Sequence, residues 1–310
     1  MTLPARVTIV EVGPRDGLQN IPTVPGMAAK VGFIDRLSDA GLPVIEVGAF
    51  VDPRRVPAMA DSEAVVRGIT QRPGTRYTAL VPNLRGLARA ASVGLREVAV
   101  FGAASESFSR HNINQGIAES FARFRLVAEE AAVSGIRVRA YLSAAFGCPY
   151  EGDVPASRVA ALTEELLQLG AVEVAVSDTI GVAHPGQVWR VLDAVSARVP
   201  LGQVALHFHD TRGTGLSNVL AGLQSGVTTF DASCGGLGGC PYAPGASGNL
   251  ATEDLVYMLD GLGIETGVSL PGVVEASTFI APHVPVELPS RYLRAAQAAC
   301  RRSQSDPRDA

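Results

Sequence analysis

Cysteine is scarce in this chain. Four cysteines occur in 310 residues, Cys148, Cys234, Cys240 and Cys300, and no two form a Cys-x-x-Cys pair. A disulfide scaffold needs dense cysteines in a short chain, so that class is excluded and reduced thiols are expected. Aromatic residues make up only 5% and build no stacking platform. Basic charge is not in surplus: 26 Lys and Arg stand against 30 Asp and Glu, for a net −4. Without a basic stripe, no nucleic-acid partner is expected. Charged residues total 18%, too few for a disordered chain. No window approaches the ~20 apolar residues of a membrane span, so no membrane association is expected. The opening MTLPARVTIVEV enters a strand pattern at once, with no apolar or Arg-rich leader. With reduced thiols, that leads to the expectation of a cytoplasmic protein.

What is present is a repeated alternation. Short runs rich in Val, Ile, Ala and Phe predict strands at Val7–Val12, Pro43–Phe50, Arg76–Val81, Glu97–Gly102, Val138–Phe146, Glu173–Asp178, Val204–Asp210 and Thr229–Cys234. Near-continuous apolar composition suits strands buried on both faces. Between them lie helical patterns: Ala28–Ala40, Asp61–Ile69, Asn83–Ala91, Ile117–Ser134, Arg158–Leu169, Gln187–Val199, Leu216–Ser225 and Thr252–Leu259. A glycine follows most of them before the next strand, as at Gly41, Gly135, Gly170 and Gly226. Eight such units predict an α/β fold, a closed (β/α)8 TIM barrel, over residues 1–265. Additional C-terminal helices and a polar tail are expected over residues 266–310. The doubly wound alternative lacks its GxGxxG turn: Gly13-Pro14-Arg15-Asp16-Gly17 follows the first strand instead.

In a barrel the chemistry gathers at the C-terminal ends of strands. Arg15-Asp16 sits there, and its setting is also good turn chemistry, so both readings stand. Glu46 lies inside the apolar run Val44-Ile45-Glu46-Val47, where an unpaired carboxylate costs several kcal/mol. His207 and His209, two apart on a strand, share one face and suit a divalent metal. Asn249 and Asp16 would add two oxygens, a mixture that fits Mg2+, Mn2+ or Co2+ better than closed structural zinc. The segment Gly235-Gly236-Leu237-Gly238-Gly239-Cys240 is too glycine-rich for packing alone. It reads either as a mobile lid presenting the Cys240 thiol as an acid, or as a flexible loop with an inert cysteine.

At these residues the chain resembles the 3-hydroxy-3-methylglutaryl-CoA lyases, members of a metal-dependent (β/α)8 superfamily that also holds Claisen-type acyl-CoA synthases. Arg15-Asp16-Gly17 and His207-x-His209-Asp210 are shared across the superfamily. More specific are Gly235–Ala243, Gly245–Asp254, Gly147-Cys148-Pro149-Tyr150-Glu151-Gly152, Ser177-Asp178-Thr179-Ile180-Gly181 and Val12–Asn20. The resemblance implies that Asp16, His207, His209 and Asn249 hold a divalent cation, Mg2+ or Mn2+. It implies that Arg15 stabilises an enolate oxygen and that Glu46 supports Arg15 and the metal site. Cys240 would exchange a proton at the reacting carbon, and His207, or Asp16, would take one from the substrate hydroxyl. Gln19, Asn112, Asp178 and Thr179 would face substrate, with Arg54, Arg55 and Arg110 as candidates for the CoA phosphates. The implied reaction is carbon–carbon cleavage of an acyl-CoA substrate by a homodimer, in leucine breakdown and ketone-body formation. The alternatives are a lyase for a longer 3-alkyl chain and a condensing synthase.

Overall fold

Eight parallel strands close on themselves in chain order: β1 (Thr8–Glu11), β2 (Val44–Ala49), β3 (Arg76–Leu80), β4 (Glu97–Ala103), β5 (Arg137–Ser143), β6 (Glu173–Asp178), β7 (Val204–Phe208) and β8 (Thr229–Ala232). The structure, a computed structural model, describes residues 3–239 and 248–305. β1 pairs with β2 through Val10 and Val44 and with β8 through Val10 and Asp231, which closes the barrel. One face of each strand fills the interior and the other meets helices. That is why β2 is buried at all six positions and reads as an unbroken apolar run.

Helices follow each strand: α1 (Met27–Asp39), α2 (Ser62–Gly68), α3 (Leu84–Ser92), α4 (Glu106–Ile113), α5 (Ile117–Val133), α6 (Ala156–Gln168), α7 (Pro185–Ser196), α8 (Gly215–Ser225) and α9 (Thr252–Gly261). Two more, α10 (Leu270–Ile280) and α11 (Arg291–Ser305), follow the last unit. The fold class and the eight units agree with the sequence reading, while α4 was not foreseen. Ser105 caps it by accepting from Phe108 N at 3.1 Å, and Asn114 ends it in a left-handed conformation, φ 55°. An eight-residue helix of polar sequence shows too little apolar periodicity to be seen.

The loops that carry chemistry are anchored rather than loose. After β1, the amides of Arg15, Asp16 and Gly17 all donate to the Val12 carbonyl, at 3.1, 2.7 and 3.2 Å. This wide helical turn replaces the simple turn that Gly-Pro-Arg-Asp-Gly suggests. β7 stops at Phe208, two residues short of the expected end. Beyond it, Asp210 N donates to Gly248 O and Leu250 N to Phe208 O, both 3.0 Å, which sets Asn249 opposite His209.

Two buried carboxylates support these loops. Glu11 accepts from Gly13 N (2.8 Å), Cys234 N (2.9 Å) and the Thr252 hydroxyl (2.6 Å), so it staples the loop after β1 to the loop after β8. Glu253 accepts from Gly235 N and from Ser277 on α10. Asp254 accepts from Ser290 Oγ and from the amides of Arg291 and Tyr292, fixing the start of α11. The C-terminal helices are thus tied to the β8 end of the barrel.

Burial pushes Glu11 and Glu253 up to about 7 each, against which their hydrogen bonds work. A raised carboxyl means that the folded protein keeps a proton that the unfolded chain gives up. Its contribution is complete below the ordinary carboxylate range and is lost as pH climbs to about 7 and beyond, about 3 kcal/mol for Glu11. Glu11→Gln keeps a neutral group there. Its melting temperature relative to wild type is expected to rise between pH 5 and pH 8; a difference independent of pH would contradict this account.

Candidate active site and metal centre

The floor of the site is a pinned guanidinium. Arg15, 6% exposed, donates from Nε to Glu46 Oε2 at 2.5 Å and from Nη1 to Asp16 Oδ1 at 2.6 Å. Tyr141 of β5 donates its hydroxyl to the same Glu46 oxygen at 3.2 Å, and its ring lies 5.3 Å from the Arg15 carbon. Burial alone would pull Arg15 down, but Glu46 and Asp16 outweigh it and the group stays cationic. Asp16 meets the same opposition: burial raises it, while Arg15, His207 and His209 bring it down to about 2.

Above this floor the ligand atoms of Asp16, His207 and His209 lie within 4.8 Å of one another. Burial, then the neighbouring His207, lowers His209 to about 4, so it is a neutral imidazole with a free lone pair near pH 7. Asn249 donates to Asp16 Oδ2 (2.9 Å) and to Leu237 O (3.0 Å). Its Oδ1, like His209 Nδ1, is buried with no hydrogen-bond partner among the described residues. Buried polar atoms are seldom left so. Two imidazoles, a carboxylate and an orphaned carbonyl oxygen fit a divalent cation with open positions. A Cβ on Gly238 would stand 2.5 Å from Asn249 Nδ2, which accounts for one glycine of the loop: chain and ligand pass too close for a side chain.

A cavity of about 770 Å³ opens over this cluster. Gln19, which donates to Asp16 Oδ1 at 3.1 Å, lines it with Asn112 and Thr179. Thr179 also accepts from Ala144 N at 2.8 Å. Asp178 does not reach the cavity wall: its carboxylate accepts the amides of Val182 and Ala183, both at 2.9 Å, and burial lifts it to about 6. Glu46 and Asn249 do not line the cavity; Glu46 bonds Arg15 and Asn249 bonds Asp16. Arg54 is paired with Asp52 and Arg110 with Glu106, whereas Arg55 and Arg123 line the cavity and form no ion pair among the described residues. Cys240 lies outside the described residues; Gly239 before it lines the cavity, and its carbonyl accepts from Asn20 at 3.2 Å.

The sequence reading missed Arg123, Tyr141, Arg139 and Asp231. The last two carried a signal, since each is a charge inside a strand. Asp231 accepts from Arg139 at 2.6 and 3.2 Å and faces His207 Nδ1 at 3.2 Å.

A closed (β/α)8 barrel with a cation-ready cluster and a buried arginine at one mouth has the layout of a metal-assisted barrel enzyme. Its family follows from comparison. The HMGL-like family model matches residues 6–280, and the chain belongs to that family. It is 51% identical over 300 residues to the mitochondrial hydroxymethylglutaryl-CoA lyase of Pongo abelii, covering 97% of this chain and 91% of that one. The hydroxymethylglutaryl-CoA lyase structure from Pseudomonas aeruginosa superposes with a TM-score of 0.95 at 49% identity, over 96% of this chain and all of that one. An HMG-CoA lyase from Acinetobacter baumannii, solved with coenzyme A and 3-methylmalate, gives 0.90 at 39% identity, over 95% and 97%.

Removing one partner of a buried ion pair strands the other charge and costs about 3–5 kcal/mol. Glu46→Gln is expected to lower unfolding stability by that order in urea titration. A loss below about 1 kcal/mol would mean that Arg15 is held without Glu46.

Proposed function

We propose that this chain cleaves 3-hydroxy-3-methylglutaryl-CoA to acetyl-CoA and acetoacetate, aided by a divalent cation, Mg2+ or Mn2+. The observation that carries the reading is the convergence of Asp16, His207, His209 and the pinned Arg15 under one cavity, in a chain about half identical along its length to hydroxymethylglutaryl-CoA lyases.

Asp16, His207, His209 and Asn249 would hold the cation. When bound, it supplies the Lewis acidity that makes the substrate's tertiary hydroxyl acidic enough for a weak base. The hydroxyl proton passes to His207 or Asp16, the two basic side chains beside the cation site: one nitrogen of His207 faces Asp231, and the oxygens of Asp16 accept from Arg15, Gln19 and Asn249. The C2–C3 bond then breaks. Its electrons pass to C2 and the thioester oxygen, and the C3 oxygen becomes the ketone of acetoacetate. Arg15 meets the charge growing on the thioester oxygen without having to reorganise, because Glu46 and Asp16 already aim its fork. Cys240, following the cavity-lining Gly239, gives C2 its proton, and acetyl-CoA results. Gln19 holds Asp16, while Asn112 and Thr179 meet the acyl part.

Arg55 and Arg123 are the cations for the CoA phosphates. Arg123→Ala should raise KM for the CoA thioester several-fold but not for a pantetheine thioester lacking the nucleotide. An equal rise for both would remove Arg123 from phosphate binding. In this reading residues 1–265 are the catalytic barrel and residues 266–310 its bracing extension. A homodimer, a cytoplasmic location and a place in leucine breakdown accompany the lyase reading. No helix among the described residues is long and apolar enough to cross a membrane.

The test is direct. Metal-stripped protein is incubated with 3-hydroxy-3-methylglutaryl-CoA, with and without Mg2+ or Mn2+, and both products are assayed. Equal, cation-dependent yields of acetyl-CoA and acetoacetate are expected. No cleavage by cation-loaded protein would overturn the reading and favour the longer-chain lyase or the condensing synthase.

A further inference from the structure

We propose that Asp231 and Arg139, inside the barrel, are positioning residues that fix which nitrogen of His207 faces the cation site. The inference rests on the cation reading above.

His207 Nδ1 lies 3.2 Å from Asp231 Oδ2, and both side chains are buried. Arg139 grips both Asp231 oxygens, through Nη2 at 2.6 Å and Nη1 at 3.2 Å. It cannot swing away: its Nε donates to Glu173 Oε1 at 2.7 Å, and the Tyr141 ring lies 4.9 Å from its carbon. A carboxylate clamped by a guanidinium is an anion, and an anion only accepts hydrogen bonds. In a neutral His207 whose Nδ1–H donates to it, the lone pair lies on Nε2, the nitrogen left to serve the cluster with Asp16 and His209. A neutral imidazole without such a partner populates both tautomers, and in one of them Nε2 carries hydrogen and cannot ligate.

Packing does not require these charges. Apolar side chains of like volume in place of a buried ion pair are often neutral or stabilising. A tautomer lock does require them. The chain runs Glu173, Arg139, Asp231, His207, from β6 through β5 and β8 to β7, so three strands set the orientation of a ligand on a fourth. Partners of this kind behind a ligating histidine, when removed, typically cost 10–100-fold in metal affinity.

The test uses metal-free full-length protein labelled with 15N at histidine only. The chain has five histidines, few enough for long-range 1H–15N spectra to resolve each ring. His207 is assigned by its loss in His207→Asn. In wild type it should show the Nδ1–H tautomer; an Nε2–H signal overturns the lock with no variant needed. The double variant Arg139→Gln, Asp231→Asn removes both fully buried charges together, and Glu173, 21% exposed, keeps contact with water. This variant should show Nε2–H or a mixture, and Mn2+ binding followed by electron paramagnetic resonance should weaken about 10–100-fold. A folded double variant with an unchanged tautomer overturns the proposal, whatever its stability. If that variant does not fold, Arg139→Met, Asp231→Leu makes the same comparison. Wild-type protein in the Nδ1–H form with no Mn2+ binding that His209→Ala abolishes would sink the cation reading and leave the lock standing.

Discussion

A guanidinium taken almost wholly out of water is the constraint on which the site depends. Arg15 can be buried only because Glu46 and Asp16 offer carboxylates at 2.5 and 2.6 Å. Satisfying Arg15 fixes Asp16, and Asp16 in turn receives Gln19 and Asn249. The position of the proposed enolate stabiliser and that of the proposed cation ligands are therefore one problem with one solution. The wide turn after β1, with three amides on one carbonyl, is the backbone form that brings neighbours Arg15 and Asp16 to the same centre.

The same logic recurs one layer further out. The barrel interior and the bases of its loops hold carboxylates that draw donors to them. Asp231 has Arg139, Glu11 has two amides and a hydroxyl, and Glu253 has Gly235 N and Ser277. A barrel that carries chemistry at one mouth needs rigid loop bases there, and backbone amides held by buried carboxylates provide them at the cost of sensitivity to pH. The C-terminal helices take part, since Ser277 of α10 and the start of α11 both close onto residues following β8.

Much of this was legible in the sequence, for physical reasons. Eight strands buried on both faces leave eight apolar runs, and most of the helix ends leave glycines, so the barrel could be read from period and punctuation. Glu46 stood out because a carboxylate in an apolar strand must be compensated. Arg139, Asp231 and Glu11 carry the same signal, each a charge within a buried strand, and applying the rule to them would have exposed the network behind His207. What sequence could not supply is approach across the fold. Asn249 reaches His209 because residues 248–250 pair with the end of β7, and Asp178 turns from the cavity because two amides claim its carboxylate. Neither depends on a local pattern. The helix α4 was hidden by its polar composition, and its cap at Ser105 was the only local cue.

The claim that joins these parts is that one cation sits where Asp16, His207, His209 and Asn249 converge, beside Arg15. Crystals grown with Mn2+ and measured for anomalous scattering would test it most directly. The account predicts one strong peak, bonded to Asp16, to Nε2 of His207, to His209 and to the Asn249 side-chain oxygen. A peak elsewhere in the barrel, or none at the cluster with Mn2+ in excess, would contradict it.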